Sequence, residues 1–217
     1  MDNLTVLGTG VLGSQIIFQA AYSGKSVTAY DLGDEILGAL PARWDYLRTR
    51  YLADLPDATE ERLDAAVARI TSTSDLAAAL AQADLVIEAV PEVLDIKRET
   101  WAKVGALAPE RTIFTTNSST LLPSAIADVT GRPERFLALH FANEIWRNNT
   151  GEVMGHSGTD PDAFEAVATF AEEIGMVAIR LRKEQPGYVL NSLLVPLLNA
   201  PPPSCTCAVS PTPRRST

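Results

Sequence analysis

The stretch VLGTGVLGSQI, residues 6–16, sets Gly8, Gly10 and Gly13 between a short apolar run and an amphipathic pattern. The spacing G-x-G-x-x-G limits the fold more than any other feature, because each glycine answers a separate steric need. Gly8 permits a tight turn after a strand, and Gly10 lets a phosphate approach the backbone. Gly13 lets the following helix pack against that strand. The helix opens at Val11 and Leu12, and its unpaired N–H groups face whatever anion the turn holds. A glycine-rich turn without a ligand competes with this reading, and the flanks decide between them. The next strand, SVTAYD, ends at Asp31. A carboxylate there accepts hydrogen bonds from an adenosine ribose and repels a 2′-phosphate. The pattern predicts a dinucleotide site, with NAD favoured over NADP.

The rest of the chain repeats the same rhythm. Residues 4–7, 27–30, 85–89, 113–115, 136–139 and 177–179 are short apolar runs that read as strands, with helical patterns at 11–22, 76–81 and 95–107 between them. Such alternation predicts the α/β class, a doubly wound, mostly parallel sheet of the Rossmann type. Residues 34–70 exceed a plain crossover, and their Leu, Trp and Tyr spacing, broken at Leu55-Pro56-Asp57, suggests an inserted helical pair. Thr159-Asp160-Pro161 has the signature of a helix start, and Gly175 closes that helix. No internal repeat is present.

Composition removes several function classes. Net charge is −9 with no basic cluster, which argues against a nucleic acid or an anionic membrane surface as partner. No apolar run is long enough to cross a bilayer. The opening MDNLTVLG leads straight into a strand, so no leader segment and a cytoplasmic location are expected. Cys205 and Cys207 are the only cysteines, and both histidines, His140 and His156, lie far from them in sequence. Neither a metal site nor a disulfide framework is expected.

The stretches VLGTGVLGSQI, DLVIEAVPEVLDIKRETW, TNSSTLLPSAIA, RPERFLALHF, NNTGEVMG and QPGYVLNSLLVPLLN follow one another in a fixed order. On these, the chain resembles the 3-hydroxyacyl-CoA dehydrogenase family over residues 1 to about 200. LALHFANEIW and GYVLNSLLVPLL look closest to its bacterial diketoreductase branch. The resemblance implies an NAD(H)-dependent oxidoreductase of fatty acid metabolism. Hydride would pass between C3 of a small 3-hydroxyacyl or 3-keto substrate and the nicotinamide. By the same resemblance His140 is the general acid–base, and Glu152 fixes its tautomer and stabilises its protonated form. Ser119 and Asn191 hydrogen-bond the substrate oxygen. Glu92, Lys97 and Asn143 lie near the nicotinamide half of the cofactor. The full family form is expected to be a homodimer.

Residue chemistry supports part of this independently. His140 follows a buried-looking strand, so it emerges at the carboxyl end, where open α/β sheets keep their ligands. An unperturbed imidazole titrates at about 6.5, which suits proton transfer near neutrality. A structural histidine at a strand end is the bland alternative, and the cofactor motif, Ser119 and Asn191 weigh against it. His156 reads as a surface loop residue. Trp44, Tyr46 and Trp101 read as core, and Glu88 as a sheet-end carboxylate rather than a catalytic one. Arg43, Arg48 and Arg50 are offered where the family uses basic residues for the carrier's phosphates, without a clear lysine pair. A CoA thioester and a small free keto or diketo ester therefore both stay open, as does a cofactor-binding but inactive protein. A branched hydroxy-acid type enzyme relies on a lysine instead, and NSSTLLP with the His–Glu spacing argues against it.

The expected organisation is an NAD-binding domain over 1–184, the first helix of a truncated C-terminal helical domain over 185–200, and an aberrant, disordered tail over 201–217. Leu190, Leu193, Leu194, Leu197 and Leu198 form the stripe of a helix that must bury one face, with Pro196 expected to kink it near Ser192. The chain then turns into PPPSCTCAVSPTPRRST, which is hostile to helix. Back-translated with GC-rich codons and read in a shifted frame, it becomes roughly Ala-Ala-Glu-Leu-His-Leu-Arg, a continuation of an amphipathic helix. The expectation is a frame slip, and a chain that binds NAD, exposes an apolar helix and shows little or no dehydrogenase activity.

Overall fold

The computed structural model describes residues 1–200. The expected tail over 201–217 lies outside the described residues. From the N-terminus, β1 (Asn3–Leu7), α1 (Val11–Tyr22) and β2 (Ser26–Tyr30) form the first strand–helix–strand unit. Next come α2 (Asp34–Leu37), α3 (Leu40–Asp54), α4 (Glu60–Val67) and β3 (Ile70–Thr73). Then α5 (Leu76–Leu80) leads to β4 (Leu85–Glu88), and α6 (Leu94–Leu107) to β5 (Ile113–Thr116). After single-turn 3₁₀ segments follow β6 (Phe136–Phe141), β7 (Thr150–Met154), α7 (Pro161–Glu173), β8 (Val177–Leu181) and α8 (Leu190–Asn199).

The strands form one sheet in the order β3-β2-β1-β4-β5-β6-β7-β8. Every pairing is parallel except β6 with β7. All residues of β4, β5 and β6 are buried, as strands covered by helices on both faces must be. That double burial is why β4 and β6 open on the apolar runs LVI and FLAL, while β5 follows Ile113 and Phe114 with two buried threonines. Strand order reverses between β1 and β4, so the loops at the carboxyl ends of these neighbours diverge and leave a crevice.

Helix boundaries follow local chemistry. Asp160 caps α7 by accepting from the Asp162 N–H at 2.8 Å, with Pro161 in the first turn, and Gly175 leaves it at φ 87°. Asp75 and Thr59 cap α5 and α4 in the same way. The inserted helices pack through aromatics. Phe18 of α1 meets Trp44 and Tyr51 of α3 at ring separations of 5.9 and 5.0 Å.

Three expectations need correction. Tyr46 is 58% exposed, unlike the core residues Trp44 and Trp101, because it lies on the outer face of α3. β3, sequence ITST, and β7, sequence TGEVM, are strands that the apolar pattern did not show. Both are recruited by pairing with an apolar neighbour rather than by their own hydrophobicity, β3 with β2 and β7 with β6. The inserted segment also holds the short helix α2 ahead of the expected pair.

Candidate active site

The cofactor side is built by β1, α1 and β2. Gly8 has φ 93°, and a Cβ there would lie 2.7 Å from the Ala89 carbonyl oxygen. A Cβ on Gly13 would lie 1.9 Å from the Gly8 carbonyl oxygen, so only glycine lets α1 sit this close. Gly10, by contrast, faces open space. No side chain caps the α1 N-terminus, so its first N–H groups are left for an anion. Asp31 is held at the end of β2 by Thr9, whose N–H and hydroxyl both donate to Oδ2 at 2.7 Å. The Leu32 N–H donates to Oδ1 at 2.8 Å. A cavity of about 520 Å³ opens here, lined by Gly8, Gly10, Asp31, Leu32, Arg43 and Val90 among others. Apolar walls, a fixed carboxylate and an uncapped helix terminus fit the adenosine and pyrophosphate of a dinucleotide. Val11 is 68% exposed on the first turn, whereas Leu12 lines a different cavity with Ser119 and His140.

That second cavity, of about 740 Å³, lies at the carboxyl end of β6. His140 and Glu152 are direct cross-strand partners in the β6–β7 register. The buried imidazole Nδ1 donates to Glu152 Oε2 at 2.8 Å, while Oε1 accepts the N–H groups of Val189 and Leu190 at 2.8 and 2.9 Å. With Nδ1 committed to the carboxylate, Nε2 is left as the free base. It lies 3.1 Å from the Ser119 hydroxyl and faces the cavity. Asn143 and Asn191 line the same space, together with Leu190, Leu193 and Leu194. The arrangement has the geometry of a base–orienter pair, with a hydroxyl beside the outer ring nitrogen.

Glu92 performs a task of its own. Its Oε1 accepts from the Ser118 hydroxyl, from the Ser119 and Thr120 N–H groups at 3.0 Å, and from the Thr120 hydroxyl at 2.8 Å. The loop that carries Ser119 is thereby clasped to the end of β4. Partial burial pushes the Glu92 pKa up, but hydrogen bonds from Ser118 and Thr120 and the Lys97 charge outweigh it and hold it at about 2. Lys97 departs from expectation. Its ammonium is buried and bonded to Glu88 Oε1 at 2.5 Å and to the Val90 carbonyl at 3.3 Å. It reaches the ligand side only through Glu92, at 3.3 Å. An unpaired buried ammonium is expensive, and Glu88 lies directly beneath it to neutralise it. Glu88 also accepts from the Thr116 hydroxyl and the Trp101 indole, which makes it a structural carboxylate.

Sequence reading missed Thr9, which fixes Asp31, and Tyr188, whose ring stacks on His140 at 4.6 Å. The Pro-Gly pair of QPGY and its aromatic successor were the available signal for Tyr188. His156 lies in the loop after β7, where Nε2 donates to the Pro133 carbonyl at 2.9 Å. Among the described residues, no cluster of three or more metal-ligating side chains occurs.

Residues 3–185 match the family described as 3-hydroxyacyl-CoA dehydrogenase, NAD binding domain. The chain belongs to this family. It is 30% identical over 202 residues to the mitochondrial hydroxyacyl-coenzyme A dehydrogenase of Rattus norvegicus, covering 91% of this chain and 64% of that protein. The L-carnitine dehydrogenase of Pseudomonas putida is 33% identical over 198 residues, covering 89% of this chain and 59% of that enzyme. A solved diketoreductase, described as catalysing reactions of dicarbonyl compounds, superposes with a TM-score of 0.89 at 56% identity, over 91% of this chain and 70% of that one. The chain thus spans about three fifths of the length of the curated relatives it matches. Family membership makes residues 3–185 an NAD-binding domain. No helix among the described residues is long and apolar enough to cross a membrane.

Proposed function

We propose that this chain carries the cofactor-binding and proton-handling half of an NAD(H)-dependent oxidoreductase that interconverts a 3-hydroxy and a 3-keto group. The observation that carries the reading is the His140–Glu152 pair, with Nε2 free toward Ser119 and the cavity. Gly8, Gly10, Val11, Leu12, Gly13 and Asp31 hold the dinucleotide, and Asn143 borders its reactive end. When bound, the nicotinamide accepts or supplies the hydride. His140 Nε2 takes the hydroxyl proton in the oxidising direction and returns it in the reducing one. Glu152 balances the imidazolium that forms, while Ser119 and Asn191 hydrogen-bond the substrate oxygen. Leu190, Leu193 and Leu194 give the same cavity an apolar wall.

The substrate is a small free keto or diketo ester rather than a CoA thioester. Arg48 is already bound by Asp64 and Glu60, each at 2.6 Å, and Arg50 by Asp54 at 3.5 Å. Only Arg43 of the three lacks an ion pair among the described residues. A carrier's phosphates would therefore meet few available cations. Net charge −9 supports a small-molecule substrate over nucleic acid. A cytoplasmic location and a homodimer of the full family form complete the proposal.

The test is NADH oxidation with an acetoacetyl thioester and with a 3,5-diketo ester. Oxidation with the diketo ester exceeding that with the thioester supports both statements. NADH binding without turnover on either substrate points instead to a non-catalytic binding protein.

A further inference from the structure

Tyr188 is the one buried residue between Leu181 and α8, at 1% exposure in a segment otherwise exposed or half-buried. Its φ is 53°, a left-handed conformation that a bulky L-residue adopts only when its surroundings over-determine it. Gly187 before it has φ 78°, so two successive left-handed residues reverse the chain. That reversal has two results. It lays the Tyr188 ring on the His140 imidazole, with centroids 4.6 Å apart and planes inclined by 23°. It also aims the next two N–H groups, of Val189 and Leu190, at Glu152 Oε1. The phenol hydroxyl donates to the Ser118 carbonyl at 2.7 Å, which ties the turn to the loop carrying Ser119. Burial first, and then the nearby Glu152, push the phenol pKa far above its ordinary value, which keeps this hydroxyl protonated as a donor to Ser118.

We propose that Tyr188 is a positioning residue for the His140–Glu152 pair, its ring fixing the imidazole plane and its left-handed backbone fixing the carboxylate. This rests on the reading of His140 as the proton-handling group. The terminal torsion of histidine is soft, so an imidazole without a wall swings between orientations. The stack holds Nδ1 on Glu152 and Nε2 toward Ser119. One tautomer, protonated on Nδ1, then dominates the neutral ring.

The experiment is nitrogen NMR on the chain labelled with ¹⁵N-histidine. His140 and His156 are the only two histidines, and their expected neutral forms are opposite. His156 donates from Nε2 to the Pro133 carbonyl and accepts the Gly158 N–H on Nδ1, so it reports folding independently. In the parent, His140 shows the Nδ1–H form alone. Tyr188→Phe keeps the ring and retains that form. Tyr188→Leu converts His140 to a mixture of tautomers while the His156 signals stay in place. Tyr188→Met supplies the same comparison with an unbranched side chain should the Leu variant not fold. A folded Leu or Met variant with His140 unchanged would overturn the proposal, as would loss of the Nδ1–H form in Tyr188→Phe or its absence in the parent. Turnover does not enter this readout. A parent spectrum as expected, with no oxidation of NADH by either substrate, would sink the dehydrogenase reading and leave the positioning role standing.

Discussion

His140 and Glu152 are 12 residues apart in sequence and directly opposite each other across β6 and β7. The family resemblance named both members of the pair and implied their contact, but the residues alone did not show it, because it depends on a strand whose glycine and glutamate mimic a loop. His140→Ala should lower turnover by about 10²–10⁴-fold, the usual share of general acid–base catalysis, and leave NADH affinity nearly unchanged. A steady-state assay beside a fluorescence titration checks both, and retention of about a tenth of the parent rate would rule out this base. Glu152→Gln keeps the shape without the charge and should lose less. At Asp31, NADH should bind more tightly than NADPH, and Asp31→Ala should narrow the gap. Equal affinities in the parent would contradict that assignment. Glu92 gives a pH prediction. Its folded pKa is about 2, below the ordinary 4.5 of a carboxyl, so the ionised form stabilises the fold. That contribution is complete above about 4.5 and fades as pH falls from there toward about 2. Urea midpoints of parent and Glu92→Gln should therefore differ at pH 7 and converge in acid. A gap that widens in acid would refute the clasp.

At the scale of elements, glycines decide how near helices approach their neighbours. Gly13 of α1 and Gly105 of α6 both lie where a Cβ would collide with backbone, at 1.9 Å from the Gly8 oxygen and 2.1 Å from the Thr130 oxygen. Backbone cannot swing aside like a long side chain, so alanine at either position should cost about 1–3 kcal/mol by overpacking. The two should part on a second readout. Gly13→Ala shifts the helix whose N-terminus faces the pyrophosphate, so it lowers both Tm and NADH affinity. Gly105→Ala lies at the contact of α6 with the 3₁₀ turn Ala127–Thr130, on a residue that does not itself line the cofactor cavity, and should lower Tm with a smaller effect on NADH affinity. A Gly13→Ala protein with parental NADH affinity would show that the turn tolerates movement of α1. The same scale explains what sequence could reveal. β4 and β6 announce themselves because each opens on an apolar run buried on both faces, and the start of α7 is written in Asp160 and Pro161. The buried ion pair of Lys97 with Glu88 was invisible for the opposite reason. A lysine on an amphipathic helix reads as solvent-facing, and only the tertiary fold sets Glu88 under it.

Across the whole molecule, charge and apolar surface pull in different directions. Net charge −9 favours solubility and mutual repulsion between copies. Against this stands α8, which is apolar around most of its circumference. Leu190, Leu193, Leu194 and Leu197 line the cavity beside His140, while Val195 and Leu198 lie away from it, 49% and 72% exposed. A helix apolar over so much of its circumference is built for burial, yet no residue of α8 is buried among the described residues. An apolar patch of this kind marks an interaction surface. The chain should therefore associate through α8, and more strongly as salt screens the like charges that hold copies apart. Sedimentation velocity over a range of concentration and salt measures this directly. Val195→Glu combined with Leu198→Glu should shift the chain toward monomer without changing NADH affinity, because neither side chain lines a cofactor or substrate cavity. A parent that stays monomeric at every concentration and salt, or a double variant that associates as the parent does, would show that α8 is not the contact surface.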